Sequence, residues 1–125
     1  MRAIGRTRWV IPGGHMVTAS VGPEPAFTSH DQACLLNTSD RMANVRGWVY
    51  YPHADRVGPY VLTVAPRRIR RFRLNDLIDP VAIPLDVDYA VAFESDVPIV
   101  VQFTRAVTSQ AALATLGGLA YPDDK

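Results

Sequence analysis

Ten prolines and eight glycines punctuate this 125-residue chain, and the runs between them are short and rich in Val, Ile, Tyr, Phe and Trp. Proline and glycine both weaken helix interiors, whereas β-branched and aromatic residues suit a pleated, half-buried surface. Short runs of this kind between turn residues predict an all-β sandwich or barrel. The runs are RTRWVI (6–11), HMVTASV (15–21), QACLLN (32–37), NVRGWVYY (44–51), PYVLTV (59–64), RRIRRFRL (67–74), DYAVAFES (88–95) and VPIVVQFTR (97–105). Tyr89, Val91 and Phe93 share one face of their run, and Val97, Ile99, Val101 and Phe103 share one face of the next. Alternation with a single apolar face is the pattern of a half-buried strand. PGG at 12–14, NTSD at 37–40, HADRVGP at 53–59 and LIDP at 77–80 carry turn chemistry. The stretch TSQAALATLGGLAYPDDK reads in two ways. It is a short helix with Ser109 as N-cap and Gly117 past its end, or it is a late strand.

Length predicts one domain, residues 1–121, with 122–125 frayed. The net charge of +1 gives no bulk field for a polyanion, and the apolar half of the composition argues for a packed core. Cys34 is the only cysteine, which excludes an internal disulfide and fits a reducing compartment. Its apolar neighbours predict an inert core thiol. The start, MRAIGRTRWVIPGG, has a three-residue apolar run before Pro12, shorter than a secretory signal or a membrane span needs. The expectation is a cytoplasmic, soluble protein.

Charge is strongly local. Five of the twelve arginines fall between Arg67 and Arg73, and from Leu74 to Thr104 there is no Lys or Arg but six acids. In a strand, Arg67, Arg71 and Arg73 share a face with Ile69, while Arg68 and Arg70 share the other with Phe72 and Leu74. A phosphate-binding surface would gather further cations nearby; here acids follow instead. The pattern favours pairing of the arginine run with the acids of 76–96, across a sheet or a subunit contact, over nucleic-acid binding. Arginine without lysine suits bidentate recognition of carboxylates or ligand oxygens.

Catalytic signatures are few. His15, His30 and His53 lie far apart in sequence, and no HxH, HExxH, CxxC, Walker loop or G-x-S-x-G elbow is present. Ser29, His30 and Asp31 are consecutive, which is no evidence of a triad, because triad members meet in space. No metal or cofactor is expected, and an enzyme is the minor reading. A recognition site is the stronger one: Glu24 between two prolines, Asn37, Asn75, Asp76 and Arg105 at strand ends, with Trp9 as an aromatic wall.

Five segments occur together in a familiar order: IGRTRWVI, GPEPAFTSHDQACLLN, VGPYVLTVAPRR, RFRLNDLIDPVAIPLDVDYA and SDVPIVVQFTR. In these the chain resembles the sensory rhodopsin transducer family, from Ile4 to Tyr121. The resemblance implies a β-sandwich of jelly-roll type that assembles as a homotetramer and binds a small polar ligand of carbohydrate type without enzymatic activity. It places Trp9, Glu24, His30, Asn37, Arg68, Asn75, Asp76, Gln102 and Arg105 at the ligand site. The arginine strand and the Ala- and Gly-rich C-terminal segment depart from the family pattern. A soluble transducer that docks on a membrane photoreceptor or other receptor is the alternative function, and a nucleic-acid-binding regulator ranks below both.

Overall fold

The computed structural model describes residues 2–16, 30–107 and 114–123. The strands are β1 (Arg6–His15), β2 (His30–Asn37), β3 (Ala43–Tyr50), β4 (Val57–Val64), β5 (Arg68–Arg73), β6 (Asp88–Val107), β7 (Ala114–Leu119) and β8 (Tyr121–Asp123). A 3-10 turn, Leu74–Asp76, follows β5. The strands pair antiparallel, as expected for an all-β chain with short connections.

The two runs at 88–95 and 97–105 are one strand of 20 residues, β6, and this strand organises the molecule. Its first half pairs with β3 and β1 in a leaf ordered β4-β3-β6-β1-β8. Its second half pairs with β2 and β7, and β5 lies beyond β2 at the edge of this second leaf. The leaves form one sandwich with a common core. Tyr89, Val91, Phe93, Val97, Ile99 and Val101 of β6 are buried, so the alternation read from sequence holds through both halves. They meet Trp9 and Ile11 from β1, Val45 and Val49 from β3, Leu62 and Val64 from β4, and Ala33 and Leu35 from β2. Phe103 is only partly buried and packs at the margin of this core.

Several local readings change. PGG at 12–14 is no turn, because β1 continues to His15. Ile11 faces Val91 and Gly14 faces Tyr89, so one extra residue is absorbed as a β-bulge. The C-terminal segment is strand over Ala114–Leu119, paired with Gln102 to Val107; neighbouring β6 overrides the local helix propensity of its alanine. The proposed Ser109 cap lies outside the described residues. β8 crosses Arg8–Val10, so Tyr121–Asp123 is sheet where fraying had been expected from 122 on. Cys34 is not in the core: it shares the outer face of the second leaf with Gln32 and Leu36, half-buried, opposite Arg71 and Gln102.

The arginine run forms β5 with its two faces as predicted, but its charge partners lie elsewhere. Arg67 pairs with Asp40 at 2.6 Å and Arg70 donates to the Thr63 carbonyl at 2.9 Å. Glu94 sits between Arg8 and Arg46, and Asp86 and Asp88 flank His15. The reason is topological. β5 lies at the edge of the second leaf, whereas Asp88 and Glu94 of β6 sit on its first arm, which pairs with β1 and β3 in the other leaf.

Candidate functional site

The site grows from one buried carboxylate. Asp31 is the second residue of β2, in phase with Ala33, Leu35 and Asn37, and period two carries all four into the interior. A carboxylate with no exposure needs full compensation. The cross-strand neighbour Arg105 donates from Nε to Oδ1 at 2.9 Å. The Tyr89 hydroxyl donates to Oδ2 at 2.5 Å and the His15 backbone N–H donates to the same oxygen at 3.0 Å. Burial pushes the Tyr89 hydroxyl far above its ordinary pKa, and the Asp31 carboxylate adds to the shift, so Tyr89 stays a donor at physiological pH.

Tyr89 and Arg105 are sixteen residues apart on the same strand. A straight strand would separate them by about 50 Å. Both touch Asp31, so β6 is doubled over where pairing passes from Ser95 in the first leaf to Val100 in the second. The site lies where its two arms come together.

Gly14 makes room for this arrangement: a Cβ there would stand 2.2 Å from Cζ of Tyr89. The bulge beside it brings His15 to the rim. Its Nδ1 lies 2.7 Å from Oδ1 of Asp88, and its Nε2 lies 3.8 Å from Oδ1 of Asp86. Around these groups opens a hollow of about 550 Å³, lined by His15, Tyr50, Tyr51, Asp88, Tyr89 and Arg105 with the backbone of 12–14. Burial raises the Tyr51 hydroxyl above its ordinary pKa, so this wall too is neutral. A guanidinium, an imidazole–carboxylate pair and tyrosine rings are thus presented together. Such a set can hydrogen-bond vicinal hydroxyls and cover an apolar ring face.

Of the nine residues proposed from sequence, Arg105 lines this hollow. Glu24 lies outside the described residues. His30 opens β2 next to Asp31, and its side chain also lies outside them. Asn75 and Asp76 occur at the same end of the second leaf, since Arg73 pairs with Gln32 and the 3-10 turn follows at once. Oδ1 of Asn75 is buried without a hydrogen-bond partner among the described residues, whereas Asp76 is exposed.

The other four stand apart. Trp9 is buried, and its indole N–H is shared between the Arg6 and Ile99 carbonyls at 3.0 and 2.9 Å; the wall expected of it is supplied by Tyr50 and Tyr51. Asn37 is buried at the far end of β2. Its amide donates to the Arg41 and Val64 carbonyls and accepts from Ser39, so it organises the 37–41 turn. Arg68 donates to the Arg67 carbonyl, and Gln102 is exposed on the outer face of the second leaf. Sequence reasoning missed Asp31, Tyr89, His15 and Asp88. Two signals were available: the phase of β2, which buries Asp31, and a tyrosine on an apolar face, which needs a hydroxyl partner.

Among the described residues no helix is long and apolar enough to cross a membrane. No curated protein matches the chain. A solved structure, the Anabaena sensory rhodopsin transducer, is 49% identical, with 80% of this chain and 96% of that chain covered at a TM-score of 0.74. A crystal structure of Thermotoga maritima 1070 aligns over 96% of this chain and 97% of its own at a TM-score of 0.86, and at 24% identity it shows the shared fold alone. A family model described as Anabaena sensory rhodopsin transducer matches residues 4–122, and the chain belongs to that family.

Proposed function

We propose that this protein is a non-enzymatic small-molecule-binding domain that takes a sugar-like, polyhydroxylated ligand in the hollow at Arg105. One observation carries the reading. A fully buried carboxylate holds a guanidinium and a tyrosine at the floor of a hollow walled by two further tyrosines. Both oxygens of Asp31 are engaged, so it serves as a fixed anchor and not as a base. Arg105, His15 and Asp88 supply donors and acceptors to the ligand, with His30, Asn75 and Asp76 reinforcing the same end and Glu24 completing the set. The cytoplasmic homotetramer implied by the family resemblance is the working form.

A second reading, transduction by protein contact, is favoured by the outer face of the second leaf. Arg71 and Arg73 stand there with Ile69, which is 59% exposed, and neither arginine has a charge partner among the described residues. Calorimetry with a panel of hexoses and pentoses separates the two, run on wild type and Tyr50→Ala with the mass checked by light scattering. Tyr50 is a wall residue and is exposed, so its removal weakens the sugar about tenfold and leaves folding intact. If no sugar binds at millimolar concentration, the contact reading replaces the ligand reading.

A further inference from the structure

A second hollow, of about 580 Å³, shares Tyr51, Pro52 and Asp88 with the first. Its character is different. Val57, Val81, Ala82, Pro84 and Val87 make its wall predominantly apolar. Most of these belong to the connection 77–87, which leaves Ile78, Val81 and Leu85 70%, 51% and 46% exposed. An apolar connection would be expected to fold its side chains inward. Two hydrogen bonds hold this one open. The buried Tyr60 donates its hydroxyl to the Val81 carbonyl at 2.5 Å, and the Asp86 N–H donates to the Met16 carbonyl at 2.6 Å. Between them Ile83 is the residue turned into the core, at 5% exposure. Asp86 adopts a left-handed φ of 56°, which aspartate tolerates, and this turns the chain back toward Asp88. His15 joins the chambers: it faces Asp88, which borders both, and Asp86, which borders the second.

We infer that the two hollows form one site for an amphiphilic ligand, whose polyhydroxylated head sits against Arg105 and His15 and whose aryl or alkyl arm lies against Val57, Val81 and Val87. The ligand class is a glycoside with an apolar aglycone, held more tightly than the sugar alone. The inference rests on the ligand reading above and adds the arm to it. A predominantly apolar wall, with Val81 half exposed on it, beside a polar chamber is the arrangement such a molecule requires.

The test uses methyl and hexyl glycosides of glucose, galactose and mannose, with hexanol alone, titrated by calorimetry into wild type and Val81→Asp. Val81 is half exposed and holds the connection through its backbone carbonyl, so its side chain can change without loss of the anchor. At least one hexyl glycoside should bind about tenfold or more tighter than its methyl counterpart. Val81→Asp should abolish that gain and leave the methyl glycoside unchanged. Methyl and hexyl forms of equal affinity overturn the arm while the sugar site stands. Hexanol as tight as the hexyl glycoside, or a gain that survives in Val81→Asp, overturns the joint site. Binding by none of the glycosides removes the sugar reading and the arm with it.

Discussion

Asp31 is the residue on which the site turns. Its burial is tolerable because three donors converge on it, and Arg105 alone brings a compensating charge. Truncating one partner of a buried pair strands the other. Arg105→Met should therefore lower stability by about 3–5 kcal/mol in denaturant unfolding. Asp31→Asn combined with Arg105→Met should recover most of that loss, because no unpaired charge then remains inside. A double variant as unstable as Arg105→Met would show that packing around the arginine, not its charge, is what matters. At this scale the sequence was legible in part. Arg105 was recognisable as a polar strand end, but Asp31 stood out only as the last of three consecutive polar residues that give no evidence of a triad. What identifies it is its alignment with Tyr89 from the other leaf, a contact 58 residues away in sequence.

Among elements, β1 and the connection 77–87 shape the site. The bulge at 11–14 re-aims His15, and Gly14 lies directly beneath the Tyr89 ring. Gly14→Ala should displace Tyr89 from Asp31 and lower the melting temperature, with a cost of about 1–3 kcal/mol for the unpaired hydroxyl and the crowded ring. Unchanged melting and unchanged sugar affinity in Gly14→Ala would separate the bulge from the site. Strand periodicity was readable wherever one face is buried, as in β2, β3 and β6. The bulge was not, because PGG has the composition of a turn and the pairing that keeps it in a strand comes from distant Tyr89 and Val91. The C-terminal segment was ambiguous for the same reason: Gly117 and Gly118 end a helix or permit close strand packing, and only the neighbouring arm of β6 decides.

At the scale of the whole molecule, the all-β class and the family were legible, since both rest on patterns that extend along the entire chain. The doubling of one strand into two leaves was not. Two alternating runs separated by Asp96, with Pro98 just inside the second, read naturally as two strands. That doubling has a consequence for how the protein opens. Both leaves are built on β6, so neither leaf can lose its pairing throughout without breaking an arm of that strand, and the two are expected to unfold together. Amide hydrogen exchange should show β6, from Tyr89 to Val101, protected to the level of global unfolding in both arms alike. Denaturation should be a single transition in which tyrosine fluorescence and far-ultraviolet dichroism coincide. A ligand held between the tips of the two arms would then slow exchange along the whole strand, and the central spine would register occupancy far from the place where the molecule is touched.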